Sequence, residues 1–195
     1  LLLYKNDVKS RFFLDRQTSM LYNSDIKLIS YLTIKEVNHM PESRKERNMA
    51  DLGKLFQEAE PYIIEMRRWF HQHPEVSLKE EKTSEKIKEE LAAMGIPYEE
   101  LKPSYGVVAT IQGKDSGKVI GARADIDALP VTEDTGLEFT SCNVGEMHAC
   151  GHDAHIAMLL GVAKVMNQIK DELNGTVKLV FQAAEEIGEG YHPVL

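Results

Sequence analysis

The stretch TVKLVFQ (176–182) is apolar at almost every position and runs straight towards the polar pair Glu185-Glu186. A short, nearly continuous apolar run suits a strand in the buried middle of a sheet, with both faces covered. Two earlier runs share its β-branched character, GVVATIQG (106–113) and KVIGARAD (118–125). The turn-like KDSG between them predicts that these two are sheet neighbours joined as a hairpin.

Helical spacing frames the strands. Leu52, Leu55, Phe56, Ala59, Ile63, Met66 and Phe70 recur with the period of one helix face, so 51–71 is expected to be an amphipathic helix. Pro61 falls inside it and would kink or divide it. His73-Pro74 ends it, because a residue before proline avoids the α region. Thr83 to Met94 reads as a second helix, with Ile87, Leu91 and Met94 turned inward and Gly95 at the capping position. Asp153 opens a third as its N-cap, with Ile156, Leu159, Leu160, Val162, Ala163 and Val165 running to about Ile169. The order helix, strand, strand, helix, strand predicts an α/β sandwich with a mixed sheet. Little chain follows 176–182 to cover the other side of that sheet. The expectation is therefore a truncated catalytic domain.

Charge divides the chain. Residues 1–48 hold 9 Lys+Arg and 6 Asp+Glu, a net of +3. The remainder holds 14 and 25, a net of −11, giving −8 for the 195 residues. Residues 1–48 lack a sustained period or a signal-peptide order, and read as an N-terminal extension, either non-native or disordered. On the non-native reading the true start is Met49. An acidic chain does not suit a nucleic-acid partner. No apolar run is long enough for a membrane span. Two cysteines, Cys142 and Cys150, are too few for a disulfide scaffold and suggest a reducing compartment, the cytoplasm, or a chemical use of the thiol.

Three polar clusters fall at strand ends or at the start of a helix: Arg123-Ala124-Asp125-Ile126-Asp127, MHACGHDAH (147–155), and Glu185-Glu186. That is the edge where open α/β sheets bind ligands. Cys150 and His152, spaced C-x-H, can reach one borderline-soft divalent ion from a tight loop. The same letters also suit a buried cysteine beside a capping histidine, or a thiol nucleophile activated by imidazole. Adjacent carboxylates after a buried strand can divide the work, one ligating a metal and the other acting as general base. They also suit a solvated loop. Asp125 and Asp127 could ligate or orient a ligand histidine, or end the strand with Arg123 paired to one of them. Arg67 and Arg68 read as a solvated helix end, His71 and His73 stay open, His148 is unassigned, and His155 is expected at the surface.

RRWFHQHPEVSLKEEKT, ARADIDALPV, GEMHACGHDAHIAMLLG and GTVKLVFQAAEE occur in this order. Together they resemble the metal-dependent amidohydrolase branch of the M20 peptidase family, over about residues 53–192. The resemblance implies a mixed-sheet sandwich of the zinc-exopeptidase type, with the lid and dimerisation domain absent. Residues 49–195 would be the N-terminal part of the catalytic domain. It implies two divalent ions (Zn, Mn, Co or Ni), with Cys150, His152 and Glu186 as ligands and Glu185 as the general base. Asp125 and Asp127 carry over only as supporting candidates behind the ligands. The implied substrate is a small N-acyl amino acid, cleaved at its amide bond by an enzyme whose full-length form is a homo-oligomer. Two other outcomes stay open at this point: an inactive fragment of such an enzyme, and a metal-independent thiol amidase using Cys150. Ala183 stands where the family pattern carries proline, and His192 lies too near Glu186 to replace a downstream ligand.

Overall fold

The computed structural model describes residues 2–5, 42–114 and 117–189, with side chains from residue 51 onward. Along them lie β1 (Leu2–Lys5), α1 (Glu42–Gln72), α2 (Glu81–Ala93), β2 (Tyr98–Leu101), β3 (Gly106–Gln112), β4 (Val119–Asp125), α3 (His152–Gln168) and β5 (Thr176–Gln182). The strands form one mixed sheet in the order β1-β4-β5-β3-β2. Only β4 and β5 are parallel; the other three pairings are antiparallel.

TVKLVFQ takes the central position that its apolarity predicts. The expected hairpin between β3 and β4 does not form, because β5 lies between them. As a hairpin, those two strands would leave the most apolar strand at an edge with unpaired backbone. Inserting β5 pairs it on both sides. Parallel pairing with β4 then demands a crossover, and α3 supplies it. The link from β3 to β4 passes across the start of β5. There Gly113 N donates to Gly175 O at 2.8 Å, Lys114 N to Leu173 O at 2.9 Å, and Thr176 N to Lys118 O at 3.0 Å.

The helices cover the sheet face that carries Val107, Ala109, Ala122, Ala124, Leu179 and Phe181. Phe70, Ile87, Leu91, Ile156, Leu159, Leu160 and Val165 fill the layer between, all essentially without exposure. Each such side chain contributes about 1.5–3 kcal/mol by leaving water. The opposite face, with Val108, Lys178, Val180 and Arg123, is only half buried, so β5 is covered on one face and not on both.

Helix α1 runs unbroken through Pro61 and is longer than expected, starting at Glu42. It packs along α3, where a Cβ on Gly161 would lie 2.5 Å from Ile63 Cδ1. That close seam holds the helix together despite the hydrogen bond a proline forfeits. Strand β2 is absent from the sequence reading because YEEL shows no apolar alternation; it is a charged edge strand paired to β3. Within the segment read as an extension, Leu2–Lys5 pair with β4. Residues 1 and 6–41 lie outside the described residues, as does His192. Among the described residues no helix is long and apolar enough to cross a membrane.

Gly175 sits at the crossing with φ +106°, and an added Cβ would lie 2.2 Å from Lys118 O. Neither the torsion nor the backbone contact tolerates a side chain. Gly175→Ala is expected to lower unfolding free energy by about 2 kcal/mol or more, read as a fall in the urea midpoint. An unchanged midpoint would mean that the crossing does not form as described.

Candidate metal centre

Parallel pairing places the ends of β4 and β5 side by side, with Asp125 opposite Gln182. The ladder runs one step further, where Ile126 N donates to Gln182 O at 2.9 Å. The crossover returns the chain to the same edge at the start of α3. Three clusters distant in sequence therefore meet there, as the sheet-edge argument predicts.

His152 is the hub. It is buried at 4 % exposure in the first turn of α3. Its Nδ1 lies 2.8 Å from the backbone oxygen of Asp127. A carbonyl only accepts, so Nδ1 carries a proton; in the neutral ring Nε2 is then a bare lone pair. That Nε2 faces two carboxylates, Glu186 Oε1 at 3.8 Å and Glu185 Oε2 at 4.0 Å. Cys150, His152 and Glu186 each offer one donor atom, and these lie within 4.8 Å of one another. Thiolate, imidazole and carboxylate together suit a borderline divalent ion. Among the described residues, Glu186 Oε1 is also buried with no hydrogen-bond partner, a costly position that a cation would relieve. Neither Cys150 nor Cys142 is in a disulfide, and both are exposed.

Asp127 lies beneath this group with no exposed surface. Its Oδ2 accepts from Ser77 Oγ at 2.7 Å and from the Glu186 amide at 2.9 Å, and its Oδ1 is 3.3 Å from His152 Nδ1. Burial pushes this carboxyl up, but the bonds from His152, the Glu186 amide and Ser77 outweigh it and hold it below the usual range. Burial likewise pushes the His152 ring down, and Asp127 and Asp125 raise it above its ordinary value. Burial and the neighbouring Asp125 charge raise Glu185.

Asp125 does two things at once. Its oxygens lie 2.9 and 3.1 Å from Arg123 Nη2, the strand-end pair considered above. It also comes within donor reach of His152 and His155. His155 is not the surface residue expected. It is half buried, stacks on His152 with centroids 5.6 Å apart, and is held neutral by burial, which lowers it to about 3. His148 is buried, and desolvation lowers it to about 4.

Asp153 is not the N-cap. Gly151 takes that position at φ +80°, a left-handed conformation suited to glycine, and no side chain caps the helix. Asp153, 1 % exposed, instead accepts from His71 Nδ1 at 2.8 Å. A charge-assisted bond to imidazolium is the stronger partner. His71 Nε2 lies 3.1 Å from Glu133 Oε1, so both ring nitrogens face carboxylates, an arrangement that favours the protonated ring. Arg67 joins at 3.5 Å from Asp153, and Arg68 lies over the Phe139 ring; the solvated helix end expected for these two is incomplete. Glu133 also accepts from Ser141 N at 2.6 Å and from Thr135 Oγ1. The network ties the loop between β4 and α3 to the end of α1. His73 is a local residue, bonded to Trp69 O and stacked on its ring. Sequence reasoning missed Ser77, Glu133 and the His71–Asp153 pair, because nothing in local spacing links residues so far apart.

Residues 121–195 match the model of Peptidase family M20/M25/M40. The chain is 42 % identical over 140 residues to the N-acyl-L-amino acid amidohydrolase of Geobacillus stearothermophilus, covering 72 % of this chain and 38 % of that protein. It is 48 % identical over 138 residues to the N-acetylcysteine deacetylase of Bacillus subtilis, covering 68 % of this chain and 35 % of that one. Among solved structures it resembles the Bacillus subtilis YXEP protein, described as a dinuclear metal binding peptidase of the M20 family. That likeness has a TM-score of 0.66 at 44 % identity, over 73 % of this chain and 39 % of that one. The chain thus spans well under half the length of the curated relatives it matches. The likeness to this structure agrees with the expected α/β, mixed-sheet fold class.

The His71 network makes stability depend on pH. Bonding to Asp153, partly opposed by burial and aided by Glu133, raises His71 above its ordinary 6.5. A raised histidine stabilises fully below about pH 6.5, and the contribution fades as pH rises through the folded value. Asp153 is lowered from 3.8; burial opposes this, and His71 outweighs it. Its contribution holds above about pH 4 and is lost in stronger acid. His71→Gln should therefore cost most stability between about pH 4 and 6.5, and less as pH rises further. Denaturant midpoints of both proteins from about pH 4 upward through and beyond 6.5 test this; a gap that widens as pH rises above 6.5 would contradict it.

Proposed function

We propose, from the match of residues 121–195 to the model of Peptidase family M20/M25/M40, that the chain forms part of a metal-dependent amidohydrolase. Its substrates are N-acyl amino acids, cleaved at the amide bond to a carboxylic acid and a free amino acid. The observation that carries this reading is the convergence of Cys150, His152 and Glu186 around a buried, unpartnered Glu186 oxygen. These residues would contribute donors to a centre of two divalent ions, Zn, Mn, Co or Ni. The dinuclear character of the similar YXEP protein supports two. The reducing cytoplasm is the compartment that suits a thiolate ligand.

When bound, a divalent ion there polarises the scissile carbonyl and acidifies water near neutral pH. The chain's own residues do the rest. Asp127 fixes the His152 tautomer through its backbone oxygen and leaves Nε2 bare. The same aspartate anchors the Glu186 amide. Asp125, paired with Arg123, supports the ring from the side of His155. Glu185, the more exposed of the two carboxylates, takes a proton from the attacking water and returns it to the leaving amine.

These roles separate on mutation. Glu185→Gln should keep its metal and lose about 10²–10⁴-fold in kcat. Cys150→Ser and Glu186→Gln should each lose about tenfold or more in metal affinity. Metal content by emission spectrometry, with amino-acid release from N-acetyl and N-benzoyl amino acids, checks both. Turnover that survives exhaustive chelation would replace this reading with a thiol mechanism at Cys150.

A further inference from the structure

We infer that Glu80 is a positioning residue, clamping the backbone turn that aims Glu185 and Glu186 at His152. Resting on the proposed roles of those two carboxylates, this adds a residue that no part of that proposal uses.

Glu80 has no exposed surface, and its Oε1 accepts the amide of Ala184 at 2.7 Å, across 104 residues of sequence. Ala184 is where β5 has ended and ladder pairing has stopped. Its φ is +54°, and among the described residues only Leu78, at +68°, is another non-glycine in that region. Such a conformation is costly for a residue with a side chain and persists only when something holds it. Two residues further on, Asp127 Oδ2 holds the Glu186 amide at 2.9 Å, and Ser77 Oγ holds that oxygen at 2.7 Å. Glu80 directly, and Ser77 through Asp127, therefore hold the turn at two amides, one on each side of Glu185. A shift at Ala184 moves both carboxylates.

The plain alternative is that Glu80 caps a helix. It stands at the N-cap of α2, yet its side chain makes no capping bond. Glu75 does that work instead, accepting from Thr83 N at 2.8 Å and from Lys82 N at 3.2 Å. Nor does Glu80 suit a stabilising role. Its Oε2 is buried without a hydrogen bond among the described residues, and an apolar residue would fill the space at lower cost. Burial raises its carboxyl above the ordinary range, and glutamine keeps both its shape and an accepting oxygen.

Glu80→Gln keeps the acceptor, Glu80→Leu removes it, and Glu80→Asp withdraws it by one methylene should the leucine variant not fold. Two readouts apply to each. One is amide hydrogen exchange in peptides spanning 181–186. The other is Co(II) affinity, followed by the thiolate-to-cobalt absorption that Cys150→Ser abolishes. The expected result is faster exchange and about tenfold or greater loss of Co(II) affinity for the leucine or aspartate variant, with the glutamine variant close to wild type. Leucine and aspartate variants matching wild type in both readouts would overturn the inference, as would a glutamine variant as impaired as they are. Glu186→Gln in the same assay tests the ligand assignment separately. If it binds Co(II) normally the metal reading falls, and exchange alone then decides the role of Glu80.

Discussion

Parallel strands cannot be joined by a tight turn; the chain must cross over and return, and both strands then end at one edge. In this protein β4 and β5 are the pair and α3 is the crossover. The consequence is chemical as well as topological. Asp125 and Asp127 leave one strand, Glu185 and Glu186 leave the other, and Cys150 and His152 stand at the crossover's start. None of these groups could meet if β4 paired with β3 as a hairpin, because β5 would then end elsewhere. Gly175 and Gly113 make the topology possible by letting the β3–β4 link pass tightly across the head of β5.

Crowding carboxylates at one buried edge carries a large electrostatic cost, and the structure shows how it is met. Asp127 is bonded by Ser77 and a backbone amide, and lies against a histidine. Asp125 has Arg123, and Asp153 has His71 and Arg67. Glu80 accepts the Ala184 amide and is raised by burial. Glu186 Oε1 has no such partner among the described residues. A set in which most members are paired and one oxygen is left without a hydrogen bond fits the cation that the proposed reading places there.

Much of the layout is legible in the sequence, for a definite reason. Periodicity reports burial on one face, and the helix residues Ile156, Leu159, Leu160 and Val165 are buried as their spacing predicts. Apolarity placed β5 at the centre. The hairpin between β3 and β4 failed because adjacency carries no information about a third strand 50 residues away. Edge strand β2 failed because two of its four residues are glutamates, so its pairing comes from backbone alone. Asp153 failed because its cap propensity is a local preference, and a charged partner from α1 outcompetes a backbone amide. Ser77 and Glu80 were invisible for the same reason: their partners, Asp127 and Ala184, are distant in the chain. Spacing pointed to Cys150 and His152, and the family resemblance singled out Glu186; the structure brings one possible donor atom of each within 4.8 Å of the others.

Two carboxylates almost equidistant from one histidine do not by distance alone explain different roles. The difference lies in what holds each. Glu186 has its amide fixed by Asp127, a side chain only 19 % exposed, and one oxygen wholly buried. Such a group cannot follow a moving proton, but it can hold a fixed ion. Glu185 is 34 % exposed, and is raised by burial and by the Asp125 charge. A carboxyl with access to water and a raised affinity for protons can accept one and give it back. On the proposed reading, neighbouring residues of the same type thus take separate roles from their surroundings. Those surroundings are set by the segment 77–80 and by Asp127, which fix the turn before either carboxylate reaches the site.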